Sequence, residues 1–321
     1  MRYLSREIAR LSHQNLGPDE FRSHADLLDH LEHDFYSASG ITHDVFVKGV
    51  HSHNDYWRRR PLLDALSLGV HSVEADIWYF PDNNDNDVFV GHSKKALRQD
   101  HLLDSLYLDQ LHAILAGANN RNSTDAVVSG AETATAPAGV WDTDSGQTLY
   151  FFIDFKTDGN VLFDVLSKKL DRFRTENWLS WYNTSSSEFH WGPITVIGTG
   201  NTPLDRVLGM GERRDIFFDG PLDKLTDADD QIYTLGVSPI ASASLKALVG
   251  SVSSSNGLSA SQLDTARQQV ARAHKLGIKT RVWDTPWWPV SKKYAVWNQI
   301  IQVNSDFLNA DDLADAVAFR N

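Results

Sequence analysis

Cysteine is absent from the 321-residue sequence, and this absence removes three kinds of chemistry at once. Without thiols the chain has no disulfide framework, no thiolate zinc site and no cysteine nucleophile. Any metal ion that the protein binds must therefore be held by oxygen atoms or by imidazole nitrogens.

Long apolar runs are missing as well. The first residues, from Met1 to Glu7, lack the apolar run of a signal peptide, and no stretch approaches the ~20 apolar residues of a membrane span. We expect the chain as written to be soluble. Its compartment stays open, because a leader can be removed from a secreted or organellar protein, and so does its oligomeric state.

Positive charge is scarce. Lys and Arg number 30 against 42 Asp and Glu, which gives a formal net charge of −12. Such a chain repels a polyanionic backbone, so nucleic acid is not the expected partner. A small anionic group can still bind through a local cation.

Short apolar runs alternate with helical stretches from residue 45 onwards, and this alternation is typical of a parallel α/β architecture. About eight such steps favour a closed (β/α)8 barrel over an open sheet. No glycine-rich phosphate loop follows any predicted strand, which weakens a dinucleotide-binding sheet. The predicted strands are 45–50, 72–80 with a short extension at 88–91, 150–155, 194–197, 216–218, 233–236, 280–283 and 307–308. The predicted helices between them include 61–68, 161–174, 263–275 and 292–303.

The segment before the barrel carries apolar residues at helical spacing over 5–12 and 19–36. We therefore predict two parts: an N-terminal helical cap over 1–44 and a single (β/α)8 barrel over 45–321. Nothing in the composition suggests a linker between two separate cores.

Several predicted strands end in polar residues spaced i, i+2, which puts both side chains on the same side of the strand. In a parallel barrel these strand ends open into one shared mouth, where the active site is assembled. The pairs are His51 and His53, Glu74 and Asp76, and Asp154 and Lys156. Adjacent Trp283 and Asp284 close the seventh strand.

Glu74, Asp76 and Asp154 offer three hard oxygen ligands from two neighbouring strands, which suits one Mg²⁺ or Ca²⁺ ion better than zinc. A single acidic residue at a strand end is more often a surface charge or a helix N-cap. Three of them at adjacent strand ends favour a metal site.

His51 and His92 each follow an apolar strand and could stand over the same cation, where imidazoles take a proton from one oxygen and give one to another. The alternative for each is a hydrogen-bonded structural role. His53 is either a positioning residue or a rival for the role of His51. Lys156 could reach a phosphate oxygen, or it forms a salt bridge with one of the carboxylates.

The loop after the seventh strand is rich in tryptophan. Trp283 and Trp287 lie in Val-Trp-Asp-Thr-Pro-Trp-Trp-Pro, together with Asp284, at the predicted rim. Such a loop suits a sugar or acyl face, although we expect core packing to be the role of at least one of the rings.

These residues resemble a known superfamily. The series His51, Glu74-Ala-Asp76, His92, Asp154-Phe-Lys156 and Trp283-Asp284 is similar to the phospholipase-C-like phosphodiesterases, which include glycerophosphodiester phosphodiesterases and sphingomyelinase-D-type enzymes. More narrowly, the motifs resemble the fungal altered-inheritance-of-mitochondria protein 6 family over about residues 45–315. Those motifs are His51-Ser-His-Asn-Asp-Tyr56, Gly69-Val-His-Ser-Val-Glu-Ala-Asp76, Leu106-Tyr-Leu-Asp-Gln-Leu111 and Asn309-Ala-Asp-Asp-Leu313.

The resemblance implies a (β/α)8 barrel with one divalent ion, usually Mg²⁺ or Ca²⁺, on Glu74, Asp76 and Asp154. It also implies that His51 and His92 are the acid/base pair. Asn54 and Lys156 fit the sphingomyelinase-D-type pattern. The His-Arg-Gly and Glu-Asn-Thr signatures of glycerophosphodiesterases are missing, as is the Asp after the second histidine, and this departure leaves the substrate open.

We therefore expect a metal-dependent phosphoric diester hydrolase, or a cyclising phosphodiesterase, that acts on a small glycerophosphodiester, lysophospholipid or related ester. A peripheral membrane contact stays open. Two alternatives remain: a barrel glycoside hydrolase with paired carboxylates, and a non-catalytic member of the superfamily that binds phospholipid or phosphosugar.

Overall fold

The computed structural model describes residues 38–82, 87–120, 136–226 and 232–320. The helices predicted at 5–12 and 19–36 lie outside these ranges, so the N-terminal cap over 1–44 stays a prediction. Among the described residues, no helix has both the length and the apolar character needed to cross a membrane.

In the described part of the chain, nine parallel strand segments form a nearly closed barrel, which confirms the predicted fold class. In spatial order they are β10, β11, β12, β13, β1, β2, β4, β7 and β9. Their bounds are β1 Lys48–Ser52, β2 Val70–Trp78, β4 Leu149–Phe155, β7 Ile194–Gly200, β9 Ile216–Phe218, β10 Gly220–Pro221, β11 Ile240–Ser244, β12 Lys279–Trp283 and β13 Phe307–Ala310.

One continuous stretch of chain contains both β9 and β10 and completes the barrel. β9 pairs with β7 at Gly198 and Phe218, and β10 pairs with β11 at Gly220 and Ala241. Only Asp219 separates β9 from β10, so this stretch is one stave with a neighbour on each side. Counted that way, the barrel has the eight staves expected of this architecture.

Helices cover the outside of the barrel. Two of the longer helices begin with a side-chain cap: the Asp158 side chain accepts the N–H groups of Asn160 and Val161, and Ser259 with Gln262 forms a capping box. The helices are α1 Ala38–Thr42, α2 Leu63–Leu66, α3 Asp109–Asn120, α4 Gly159–Lys169, α5 Asp171–Thr175, α6 Leu204–Leu208, α7 Leu245–Val249, α8 Ala260–Lys275, α9 Val290–Gln302 and α10 Leu313–Phe319. Shorter helical turns span Asp55–Trp57, Lys94–Ala96, Asp104–Leu108 and Leu222–Lys224.

Alternation along each strand decides which side chains reach the barrel interior. In β4, Phe151 and Ile153 pack outward in the main core, whereas Tyr150 and Phe152 belong to an interior cluster. Each fully buried aromatic or aliphatic side chain contributes about 1.5–3 kcal/mol. Asp154 is the next interior position after Phe152, so the apolar alternation of the strand directs this carboxylate into the mouth.

A three-stranded antiparallel sheet lies at the end of the barrel where the strands begin. It consists of β5 Trp181–Asn183, β6 Glu188–His190 and β8 Arg213–Arg214. Phe189 stacks on interior Phe217 with 5.1 Å between ring centroids, and neighbouring Trp191 contacts Tyr150 near the start of β4. This sheet was not predicted, and it fills the barrel from the end opposite the predicted site.

The strand predicted at 233–236 is wrong. Residues 232–237 form turns and bends, and the strand of this stave is β11, with the sequence Ile-Ala-Ser-Ala-Ser. Small side chains suit this crowded interior but carry a weak strand signal, whereas Tyr233 and Leu235 carry a strong one. The extension predicted at 88–91 is confirmed: β3, Phe89–Val90, pairs antiparallel with the end of β2.

Candidate active site

Three carboxylates converge at the mouth of the barrel. Glu74 and Asp76 lie on β2, and Asp154 lies on β4 opposite Asp76 in the parallel register. One ligating oxygen from each lies within 4.8 Å of the others. Glu74 and Asp76 are buried, at 5% and 2% exposure. The three predicted metal ligands are therefore brought together.

The donor set fits a hard divalent cation. Among the described residues, Asp154 Oδ1 is buried without a hydrogen-bond partner. Burial and the negative charge of Glu74 raise the pKa of Asp76 to about 7, even though Lys156 opposes the shift. The unpartnered oxygen and the close negative charges fit a cation between these groups. Glu74, Asp76 and Asp154 would hold it.

Lys156 lies across the mouth from Glu74. Its ammonium group is 2.7 Å from Asp154 Oδ2 and 3.1 Å from Asp76 Oδ2. The salt bridge considered from the sequence is thus present. Lys156 also lines the cavity, so its other hydrogens can reach a bound anion.

His53 faces the carboxylates from the β1 side. Its Nδ1 is 2.9 Å from Asp311 Oδ1, and its Nε2 is 3.8 Å from Glu74 Oε2. Burial opposes protonation, but the hydrogen bond to Asp311 and the charge of Glu74 raise the pKa of His53 overall. A carboxylate on one ring nitrogen orients the other toward the site, as in many acid/base histidines.

His92 faces the same cluster from the β2 side. Its Nδ1 is 3.6 Å from Asp76 Oδ2 and 3.3 Å from the Tyr56 hydroxyl, and its ring lies 5.3 Å from that of Trp57. The Tyr56 hydroxyl also donates to Asp76 Oδ2 at 2.8 Å. His53 and His92 therefore lie beside different carboxylates of one cluster.

His51 lies beneath the cluster and is fully buried. Arg281 Nη1 donates to its Nε2 at 2.7 Å, so the ring proton sits on Nδ1 and is donated to Ser72 Oγ at 2.8 Å. Burial, reinforced by the Arg281 charge, lowers the pKa of His51 to about 3. His51 Nε2 remains 3.7 Å from Glu74 Oε2, but the residue does not line the cavity.

Asn54 joins the β1 loop to the metal ligands. Its backbone has φ 48°, a left-handed conformation that Asn tolerates, and its N–H donates to Glu74 Oε2 at 3.1 Å. Its side-chain oxygen also lies within hydrogen-bond distance of the Tyr56 hydroxyl. Because this hydroxyl has one proton, it donates to Asn54 or to Asp76, but not to both at once.

A cavity of about 210 Å³ opens over these groups. Trp283 lines it, whereas Asp284 and Trp287 do not; these two line an adjoining cavity of about 320 Å³ that shares His53 with the first. Trp287 is 80% exposed, so core packing is not its role. The residues that line the first cavity are His53, Asn54, Glu74, Asp76, His92, Asp154, Lys156, Thr199, Arg281 and Trp283.

Four residues near the site were not predicted from the sequence: Arg281, Asp219, Thr199 and Tyr56. Arg281 is buried, and its guanidinium lies over the Phe152 ring at 4.4 Å and 3.5 Å from Glu74 Oε1. Asp219 lies 3.6 Å from Arg281, and burial raises its pKa to about 6 against the effect of Arg281. The i, i+2 spacing of Arg281 with Trp283 was the available signal.

Comparison with known proteins finds relatives that cover most of the chain. The model of the AIM6-like phosphodiesterase domain matches residues 39–219. The altered inheritance of mitochondria protein 6 homolog of Arthroderma benhamiae is 39% identical over 287 residues, which cover 87% of this chain and 86% of that protein. The altered inheritance of mitochondria protein 6 of Eremothecium gossypii is 35% identical over 88% of this chain and 72% of that protein.

The protein of the same name from Saccharomyces cerevisiae is 34% identical, over 85% of this chain and 71% of that protein. No solved structure gives a significant match. The resemblance seen in the sequence motifs is therefore confirmed: this chain belongs to the AIM6-like phosphodiesterase family.

Proposed function

We propose that this protein is a metal-dependent phosphodiesterase that cleaves a small phosphodiester at the barrel mouth. The observation that carries the proposal is the convergence of three carboxylates within 4.8 Å, with two imidazoles and one lysine lining the same cavity. One Mg²⁺ or Ca²⁺ ion on Glu74, Asp76 and Asp154 would polarise a phosphoryl oxygen and offset negative charge in the transition state.

The chain's own groups account for the remaining chemistry. A substrate hydroxyl or a water attacks phosphorus, and one histidine takes its proton while the other gives a proton to the leaving oxygen. We propose His53 and His92 for these roles, because both line the cavity and His51 does not. Lys156 binds a non-bridging phosphoryl oxygen, and such charge contacts contribute several kcal/mol in a water-poor site.

His51 then has a supporting role. Its two ring nitrogens are occupied by Ser72 and Arg281, and the ring packs edge-on against Phe152 with 4.9 Å between centroids. It thereby fixes Arg281 beside Glu74. This assignment differs from the expectation based on resemblance, in which His51 is the acid/base residue, and either assignment is open to mutagenesis.

The carboxylate spacing argues against a glycoside hydrolase. Paired catalytic carboxyl groups in those enzymes lie about 5–5.5 Å or 6.5–9.5 Å apart with the sugar between them. Here one oxygen from each of the three carboxylates lies within 4.8 Å of the others, which suits one ion better than a sugar ring.

The test is turnover of glycerophospho-alcohols and lysophospholipids, with phosphomonoester and cyclic phosphate products separated by ³¹P NMR. We expect activity that EDTA removes and Mg²⁺ or Ca²⁺ restores. Activity that survives complete metal removal contradicts the metal role. A reducing sugar as product supports the glycosidase instead, and ligand binding without turnover supports the non-catalytic alternative.

A further inference from the structure

A buried carboxylate that the proposed chemistry does not use contacts two residues that line the cavity, Thr199 and Arg281. Asp219 occupies the junction of β9 and β10, and its side chain is 7% exposed. Among the described residues, its Oδ1 atom is buried without a hydrogen-bond partner. Leaving a buried acceptor unpaired costs about 1–3 kcal/mol, so such an atom calls for a ligand.

Strand geometry directs this carboxylate toward the barrel interior. Phe217 belongs to the interior cluster, and Asp219 is the next interior position along the same strand. The backbone N–H of Asp219 donates to Gly198 O at 3.0 Å, which sets Asp219 beside Thr199. Thr199 and Arg281 both line the cavity, and Asp219 lies between them.

Asp219 is separate from the proposed metal ligands. The group of carboxylates able to share one ion contains Glu74, Asp76 and Asp154, and Asp219 is not part of it. Arg281 links the two, because its guanidinium reaches Glu74 Oε1 at 3.5 Å and Asp219 Oδ2 at 3.6 Å. The surroundings of Asp219, here called the Asp219 niche, therefore lie within the length of the Arg281 side chain from the proposed metal ligands.

The charges in the Asp219 niche determine which ligand group can bind there. Asp219 Oδ1 needs a donor, yet the guanidinium of Arg281 lies beside the same carboxylate. A second cation would be repelled at this short range, whereas a hydroxyl donates a hydrogen bond without adding charge. The hydroxyls of Thr199 and Ser242 already bond to this carboxylate, so its surroundings accept neutral hydroxyl donors.

We propose that Asp219, held by Arg281, is a specificity-determining residue that accepts a hydrogen bond from a free hydroxyl of the alcohol esterified to the phosphate. This inference rests on the proposed phosphodiesterase function and narrows it to diesters of a polyhydroxy alcohol. Diesters of a simple alkanol, or of an alcohol that carries an ammonium group, leave Asp219 unpaired or bring a cation next to Arg281.

The experiment compares three methyl phosphodiesters: those of glycerol, 1-propanol and ethanolamine. With Mg²⁺ or Ca²⁺ present, we expect kcat/KM for the glycerol diester to exceed that for the other two by about 10- to 100-fold. Asp219→Asn should bring this preference below about threefold. The amide oxygen turns toward Arg281, which puts a donor where the acceptor was.

The loss should fall on the glycerol diester alone, with kcat/KM for the propyl diester unchanged within about threefold. Turnover of the propyl diester thus also reports that the variant is folded. Asp205→Asn, an exposed carboxylate on α6, is the matched control and should leave the preference intact. Titration calorimetry with glycerol phosphate and propyl phosphate gives a second readout, in which the same preference should appear and be lost.

Equal wild-type rates on the glycerol and propyl diesters, a preference for the ethanolamine diester, or an equal loss on all substrates in Asp219→Asn would overturn the inference and leave the phosphodiesterase proposal standing. Absence of turnover of all three diesters overturns both. Should Asp219→Asn fail to fold, the wild-type comparison decides alone.

Discussion

His51, in β1, and His53, directly after this strand, should respond to mutation in opposite ways. His51 is fully buried between Ser72, Arg281 and Phe152, whereas His53 lines the cavity with a side chain that is 28% exposed. We therefore expect His53→Gln to remove activity with little loss of stability. We expect His51→Ala to cause a large loss of stability.

The magnitude for His51→Ala follows from what the ring contacts. The variant leaves the Ser72 hydroxyl and one Arg281 N–H without a partner, at about 1–3 kcal/mol for each buried group, with more for the charged one. It also leaves a void beside Phe152. Together these effects predict a loss of about 3–5 kcal/mol of unfolding free energy, which lowers Tm by roughly 6–12 °C.

For His53→Gln, loss of a proton-transfer group predicts a fall in kcat of about 10²- to 10⁴-fold. The side chain's close partners in the described part of the chain are Asp311 at the rim and the Asn54 amide, so Tm should change by less than about 2 °C. Calorimetry and kcat measured well below Tm separate the two effects. A His51 variant with native Tm and no activity, beside an active His53→Gln, would refute the reasoning.

Three further results are expected. Asp154→Asn should weaken the binding of Mg²⁺ or Ca²⁺ by at least about tenfold in titration calorimetry, and unchanged affinity would contradict the proposed ligand set. Gly200→Ala should lose about 1–3 kcal/mol and most of its metal affinity, because Gly200 has φ 64° and a Cβ would lie 2.0 Å from Asp154 Oδ1; Gly211→Ala, with open space around it, is the control. Burial, with Lys279 nearby, lowers the pKa of His71 to about 4. As pH falls, His71 is protonated in the unfolded chain before it is protonated in the folded one. About 3 kcal/mol of unfolding free energy that is present above pH 6.5 should therefore be lost between about pH 6.5 and 4. Chemical unfolding at several pH values measures this loss, and His71→Gln should reduce it.

Periodicity along the strands was enough to predict the barrel and the carboxylates. Apolar alternation in β4 sends Phe152 and then Asp154 inward, and the same rule sends Glu74 and Asp76 inward from β2. The parallel register then brings Asp76 opposite Asp154 without further information. The strand β11 consists mostly of small residues and lacks the alternation of large apolar and polar side chains, so periodicity did not predict it.

The i, i+2 rule gives the face of a strand but not the depth of a residue in the barrel. His51 and His53 share a face, yet two residues of strand separate them by about 6–7 Å along the barrel axis. His51 pairs in register with Ser72, one interior position below Glu74, and that offset hides it beneath the carboxylates. Only pairing between strands sets this level, and a single strand's sequence does not contain it.

Long side chains add a second level of information that spacing does not carry. Arg281 starts on β12 in register with Ser242, yet its guanidinium reaches His51, Glu74 and Asp219 on three other staves. A buried cation with neighbours on so many staves stabilises one relative arrangement of them, because each partner loses its compensation if the arrangement changes. Arg281 therefore holds both Glu74 and Asp219 in place. A substitution of Arg281 should disturb the metal ligands and the Asp219 niche together. A substitution of Asp219 should leave the metal ligands in position.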